Sequence, residues 1–148
     1  MVVRGTIFYH SKFLFKNGEV APKYLILLNT PSEGEPYFLV KTTSQRKDKP
    51  ITPGCIKKRS LFFIPARRTF FPVNTWAQLY QLYEETEVEK DPKFKIIGNL
   101  DSKMVTQIIE CLLASQGDDI SPHQKKLLKI PIGDSLLKLK EHFAKSRA

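Results

Sequence analysis

Lys41-Thr42-Thr43-Ser44-Gln45 opens a segment in which hydroxyls and cations recur at the spacing of phosphate-binding surfaces. The cations continue through Arg46, Lys47, Lys49, Lys57, Lys58 and Arg59 and end at Arg67-Arg68-Thr69. Between Lys41 and Arg68 nine lysines and arginines face one acid, Asp48, so this stretch carries nearly all of the net charge of +9. Such a cluster gains affinity for a polyanion by releasing condensed counterions, which requires no sequence recognition. Charge therefore names a class of partner, nucleic acid first, and leaves the reaction open.

Other chemistries lack their residues. Cys55 and Cys111 lie far apart with no CxxC partner, so both are expected reduced and neither catalytic nor metal-bound. His10, His123 and His142 are too scattered for a zinc site, and no cofactor or metal is expected. There is no G-x-S-x-G and no phosphate-cradling glycine loop. No apolar run approaches the roughly 20 residues needed to cross a bilayer, and no membrane partner is expected. Met1-Val2-Val3-Arg4 leads into a strand-like run rather than a secretory signal, which predicts the cytoplasm.

The elements that must position these groups fall into two halves. Gly5 to Tyr9, Tyr24 to Leu28, Tyr37 to Thr43, Leu61 to Ile64 and Thr69 to Phe71 read as short strands. Turn chemistry such as Asn17-Gly18, Pro31-Ser32-Glu33-Gly34 and Thr52-Pro53-Gly54 bounds them, a spacing that suits a small antiparallel barrel. Lys41 to Arg59 lacks apolar periodicity and carries Pro50 and Pro53, which predicts an exposed loop. From Asn74 the spacing of Trp76, Leu79, Tyr80 and Tyr83 predicts a helix with an aromatic core face. The acidic run Glu84 to Asp91 reads as solvated surface. Phe94 to Asn99 reads as a strand, and Asp101 caps a helix that buries Met104, Val105, Ile108, Ile109, Cys111 and Leu112 and ends at Gly117. Ser121-Pro122-His123-Gln124 has the form of a capping box, and Gly133-Asp134 begins a last helix with Leu136, Leu139 and Phe143 aligned. The tail from Ser121 holds seven basic residues against two acids, either a solvated face or a second polyanion contact.

Taken in order, several segments resemble the MazF/PemK family of toxin ribonucleases. Gly5-Thr6-Ile7-Phe8 is similar to that family's opening strand, and Gly18-Glu19 through Lys23-Tyr24-Leu25-Ile26-Leu27 to its loop and second strand. Val40 to Gln45 is similar to the strand end that carries the family threonine, Ser60 to Ile64 through Arg68-Thr69 to the later strand and its Arg-Thr step, and Gly98 to Val105 to the closing strand and helix. Coverage is roughly residues 4 to 116. The resemblance implies an α+β fold, a small antiparallel SH3-like β-barrel over residues 1–116 with a basic helical extension at 117–148. It also implies a homodimer, an acidic antitoxin partner, and metal-independent cleavage of single-stranded RNA by 2′-hydroxyl attack. A non-catalytic nucleic-acid-binding or antitoxin-binding module on the same barrel is the alternative.

RNA brings its own nucleophile, so the protein supplies a base, an acid and cations for the phosphorane. By position, Lys23 stands at the family arginine, Thr43 at the family threonine and Arg68 at the later arginine. The implied roles are charge stabilisation or leaving-group protonation for Lys23, a hydrogen bond to phosphate or hydroxyl for Thr43, and a phosphate clamp for Arg68. The chain departs from the family at Lys23, at Tyr24 where proline is usual, at Pro65-Ala66 and at Thr6. His10 is the candidate replacement base. Lys41, Ser44, Gln45, Arg46, Lys47, Lys49, Lys57, Lys58, Arg59 and Arg67 are the candidate RNA contacts. Tyr9, Phe13, Phe15 and Tyr37 are core residues or base-stacking platforms.

Overall fold

A computed structural model describes residues 2–15 and 17–128. Seven strands, β1 (Thr6–Leu14), β2 (Val20–Leu27), β3 (Tyr37–Thr43), β4 (Gly54–Ile56), β5 (Leu61–Ile64), β6 (Thr75–Glu85) and β7 (Phe94–Asn99), form one antiparallel sheet in the order β4-β5-β6-β3-β2-β1-β7. Two helices follow, α1 (Ser102–Gln116) and α2 (Pro122–Leu128). The molecule is thus α+β, with the sheet built first and the helices laid on it.

Alternation along the central strands divides the core. Ile7, Ile26, Phe38, Val40, Phe62, Ile64, Ala77 and Leu79 pack against Val105, Ile108, Ile109 and Leu112 of α1. Their neighbours Phe8, Leu25, Leu27 and Leu39 form a second cluster with Phe13, Tyr83 and Val88, because successive strand residues point to opposite faces. A register break between His10 and Phe13 carries β1 onward so that Phe13 meets Tyr83 edge-on at 4.7 Å. Asp101 caps α1 by accepting the Met104 N–H at 2.8 Å. At α2 the Ser121 hydroxyl accepts from the Gln124 N–H at 3.1 Å, and the Gln124 side chain accepts from the Ser121 N–H at 2.9 Å, the reciprocal pair read from the sequence. Ile120 and Leu128 join the α1 core, so the start of the basic extension packs with the sheet domain. The expected helix from Gly133 lies outside the described residues.

Two expected elements are corrected. Residues 75–85 are a strand, not a helix. Ala77 and Leu79 face α1 whereas Trp76 packs on Leu61 and Phe63, a two-residue alternation. A register break in the β3–β6 pairing, between Leu39 opposite Tyr83 and Lys41 opposite Gln78, shifts the phase midway. Two strand phases joined by that break imitate the three-and-four spacing of a helix. Trp76, Leu79 and Tyr83 are buried as expected, but Tyr80 is 48% exposed. Residues 69–71 are loop, not strand. Arg67 has φ +66°, its N–H donates to the Phe71 carbonyl at 3.0 Å, and Asn74 Oδ1 accepts the Ala66 N–H at 2.9 Å. These bonds close residues 66–74 into a loop of their own, and Asn74 ties that loop rather than capping a helix.

The cysteines are also corrected. Cys55 and Cys111 form a disulfide. Their separation of 56 residues in sequence closes to 5.5 Å between Cα atoms because β4, at the sheet edge, lies against α1. Sequence spacing alone carries no information on that approach.

Candidate functional site

Lys23 and Thr43 are brought together by the β2–β3 pairing, in which Leu25 lies opposite Lys41. Both line a cavity of about 390 Å³, with Pro22, Tyr24, Thr42, Ser44 and Gln45 on one side and Phe70, Phe71, Pro72, Val73 and Thr75 on the other. The Lys23 amine donates to the Thr42 carbonyl at 3.4 Å, and the Thr42 hydroxyl donates to the Tyr24 carbonyl at 3.1 Å. Thr43 Oγ accepts the Gln45 N–H at 3.2 Å, which leaves the hydroxyl proton available to an outside acceptor.

The opposite wall is apolar and open. Tyr24 is 42% exposed, Phe70 39% and Val73 53%. Tyr24 packs between Tyr9 at 5.3 Å, Phe71 at 6.2 Å and Phe70 at 6.4 Å between ring centroids. One cavity therefore offers a cation, a hydroxyl donor and aromatic faces, the combination that holds an unstacked base beside its phosphate.

Burial, with the charges of Lys41 and Lys49, pushes the Lys23 amine below the usual lysine range. Lys41, itself lowered by burial, sits 4.7 Å from the centre of the Phe15 ring and 5.5 Å from that of Tyr80, and Lys23 lies 5.7 Å from Phe15. The aromatic faces hold the two amines near one another where, among the described residues, neither has a carboxylate in salt-bridge range.

The other candidates lie elsewhere. Arg68 lines a second cavity of about 580 Å³, bounded by β4, β5 and α1 and shared with Cys55, Phe62, Glu110 and Cys111. It does not line the Lys23 and Thr43 cavity. His10 is opposite Lys23 in the β1–β2 register but buried, with Nδ1 accepting the Lys12 N–H at 3.1 Å and its ring edge-on to Phe94 at 4.5 Å and Phe13 at 5.6 Å. Burial lowers its pKa, against a raising influence from Asp91.

The basic segment is stitched together rather than structureless. Lys49 donates to the Gln45 carbonyl at 2.9 Å, Arg46 to the Lys49 carbonyl at 3.4 Å, and Arg59 pairs with Asp48 at 3.4 Å. Trp76 Nε1 donates to the Pro50 carbonyl at 2.8 Å. The segment also includes β4 and a 3₁₀ turn, Lys57–Arg59, where a loop is expected from sequence. Arg46, Lys47, Lys57, Lys58, Arg59 and Arg67 are exposed.

No protein-family model matches the chain, and no curated protein matches its sequence.

Sequence reasoning passed over Phe70 and Val73 as cavity walls. The signal was the adjacent pair Phe70-Phe71: in extended or loop backbone neighbouring side chains diverge, so one of the two must leave the core. Phe71 is buried and Phe70 is the one that leaves. Of the four aromatics considered as platforms, Phe13 is buried, while Tyr9, Phe15 and Tyr37 are half-buried. Among the described residues no group of three or more His, Cys, Asp or Glu is placed to hold a metal, and no helix is long and apolar enough to cross a membrane.

Proposed function

We propose that the chain is a metal-independent endoribonuclease of the MazF/PemK kind, its sheet curled into an SH3-like barrel, acting on single-stranded RNA in the cytoplasm. The observation that carries this reading is the meeting of the Lys23 amine and the Thr43 hydroxyl in one aromatic-walled cavity at the foot of the basic segment.

In this mechanism a base stacks on the Tyr24 and Phe70 wall, which sets its phosphate beside Lys23. The ribose 2′-hydroxyl attacks the adjacent phosphorus and gives up its proton to solvent water, Thr43 donates to a non-bridging oxygen, and the ammonium of Lys23 stabilises the phosphorane. The same ammonium then protonates the departing 5′ oxygen, for which a lowered pKa is an advantage. Lys41 and Lys49 take the clamping role first assigned to Arg68, since they are the charges that act on Lys23. Products are a cyclic phosphate and a free 5′-hydroxyl. An acidic antitoxin competes for the same cations.

A second reading, RNA binding without cleavage, is favoured by the positions of His10 and Arg68. With His10 packed among aromatic rings and Arg68 on the other cavity, the site retains one strong acid–base group where the reaction draws on two. Incubation with single-stranded RNA in excess EDTA separates the two readings. The first requires cleavage by the parent and its loss in Lys23→Ala and Thr43→Ala; the second requires salt-sensitive binding by a parent that never cuts. If about four cations contact phosphates, log K falls with log salt at a slope near −3.

A further inference from the structure

We propose that the Cys55–Cys111 disulfide is a thiol-exchange site through which a dithiol reductant releases the basic flap, residues 44–59, from α1. The bond joins an edge strand that has no buried residue to the buried face of α1. β4 is three residues long, lies at the sheet edge and, among the described residues, pairs only with β5, through Gly54–Phe63, Cys55–Phe62 and Ile56–Leu61. Three edge pairs are a weak hold by themselves. The covalent link supplies the rest, and the flap cations flank it on both sides, Arg46, Lys47 and Lys49 before Cys55, and Lys57, Lys58 and Arg59 after it.

The two sulfurs are not equivalent. Both line the 580 Å³ cavity, but Cys55 is exposed whereas Cys111 is 2% exposed. A reagent thiolate therefore attacks the Cys55 sulfur. The S–S bond breaks, its electron pair goes to Cys111, and Cys111 takes a proton. The second thiol of the reagent then attacks the mixed disulfide, frees Cys55 as a thiol and leaves as a cyclic disulfide, so two electrons pass from the dithiol to the protein. Arg68 on the same cavity and the neighbouring lysines favour approach of an anionic thiolate, against the single carboxylate of Glu110.

The reduced state has a place for both thiols. Cys111 lies in the α1 core, where a thiol packs as a small apolar group, and its sulfur is 3.6 Å from the Leu61 carbonyl, an acceptor for the new S–H. Cys55 becomes a solvent-facing thiol on a strand held by β5 and by the Trp76 to Pro50 bond. The sheet and α1 thus tolerate both states, and the difference between them is confined to the flap.

The test uses the full chain, oxidised and after millimolar dithiothreitol, with Cys55→Ser as a permanently open control. Mass shift on iodoacetamide labelling in denaturant counts the thiols, and limited trypsin digestion of the folded chain reads the flap at Arg46, Lys47, Lys57, Lys58 and Arg59. Reduction is expected to yield two thiols, to speed cleavage within 46–59 by about tenfold, and to leave the near-ultraviolet signal of buried Trp76 in place. Cys55→Ser is expected at the fast rate with or without the reductant. Equal digestion rates in the two states, or loss of the Trp76 signal on reduction, overturn the proposal. A consequence for RNA affinity rests on the nucleic-acid reading above. Release that occurs without any RNA binding would defeat that reading alone, and RNA binding without release would defeat this one alone.

Discussion

Gly98→Ala moves a wall of the Lys23 and Thr43 cavity without altering any residue that lines it. A Cβ built at Gly98 stands 2.5 Å from Phe70 Cδ2, 2.9 Å from Cγ and 3.1 Å from Cε2. Carbon atoms rest at about 3.5–4.0 Å, so the ring must withdraw by about 1 Å. Phe70 is half-exposed and can do so toward solvent. Gly98 is not among the positive-φ glycines, and alanine in a strand gains about 0.5–1 kcal/mol over glycine, so folding stability changes by less than about 1 kcal/mol. Stacking of one base is worth about 1–3 kcal/mol, and a gap of 0.5–1 Å forfeits about a quarter to a half of a contact. The variant should therefore bind a short single-stranded RNA about 1.5- to 12-fold more weakly, whereas Phe70→Ala, which removes the ring, should weaken binding by about 5- to 150-fold. Fluorescence anisotropy at one fixed salt concentration gives both numbers, with thermal melts as the stability control. Unchanged affinity in Phe70→Ala, or a larger loss in Gly98→Ala than in Phe70→Ala, would refute the assignment of this wall to base stacking.

Three further outcomes follow from particular contacts. Asp101→Ala removes the acceptor of the Met104 N–H and should cost about 1 kcal/mol of stability by urea titration; no change would mean that α1 does not depend on this cap. Lys41→Gln removes a positive charge that lowers the Lys23 pKa, so the alkaline limb of the cleavage profile, where the acid is lost, should move to higher pH. A limb that stays in place in Lys41→Gln would exclude Lys23 as the acid. His10 is held neutral, its folded pKa below the unfolded one, so the unfolded state binds the proton first and stability falls as pH drops below about 6.5. His10→Phe should flatten that loss between neutral and mildly acidic urea midpoints, and an unaltered slope would place the acid-sensitive group elsewhere.

Much of the frame was readable because local chemistry and tertiary environment agree. Tyr37–Thr43, Leu61–Ile64 and Phe94–Asn99 have the strand bounds that their composition and flanking turns indicate, and the Asp101 and Ser121 caps sit where their side chains can reach the first free N–H groups. Thr75–Glu85 misled because its register break lies within the β3 pairing, a partner that sequence does not reveal. The disulfide was missed for a related reason: only the packing of β4 on α1 joins positions 56 residues apart. In the site, Lys23 and Thr43 share a cavity because they lie on paired strands, a relation that strand order alone supplies. Arg68 parts from them because the loop from Ala66 to Asn74 passes from one cavity to the other between Arg68 and Phe70, leaving both Phe70 and Phe71 on the Lys23 side.

The central claim is 2′-hydroxyl attack at the Lys23 and Thr43 cavity. It is tested most directly with a single-stranded RNA whose preferred cleavage position carries one 2′-deoxy sugar, digested in excess EDTA and resolved beside the all-ribose strand. The account predicts that cutting stops at that one linkage, continues at others and leaves cyclic phosphate ends, and that Lys23→Ala cuts at none of them. Cutting that ignores the missing hydroxyl, or that persists in Lys23→Ala, would contradict it.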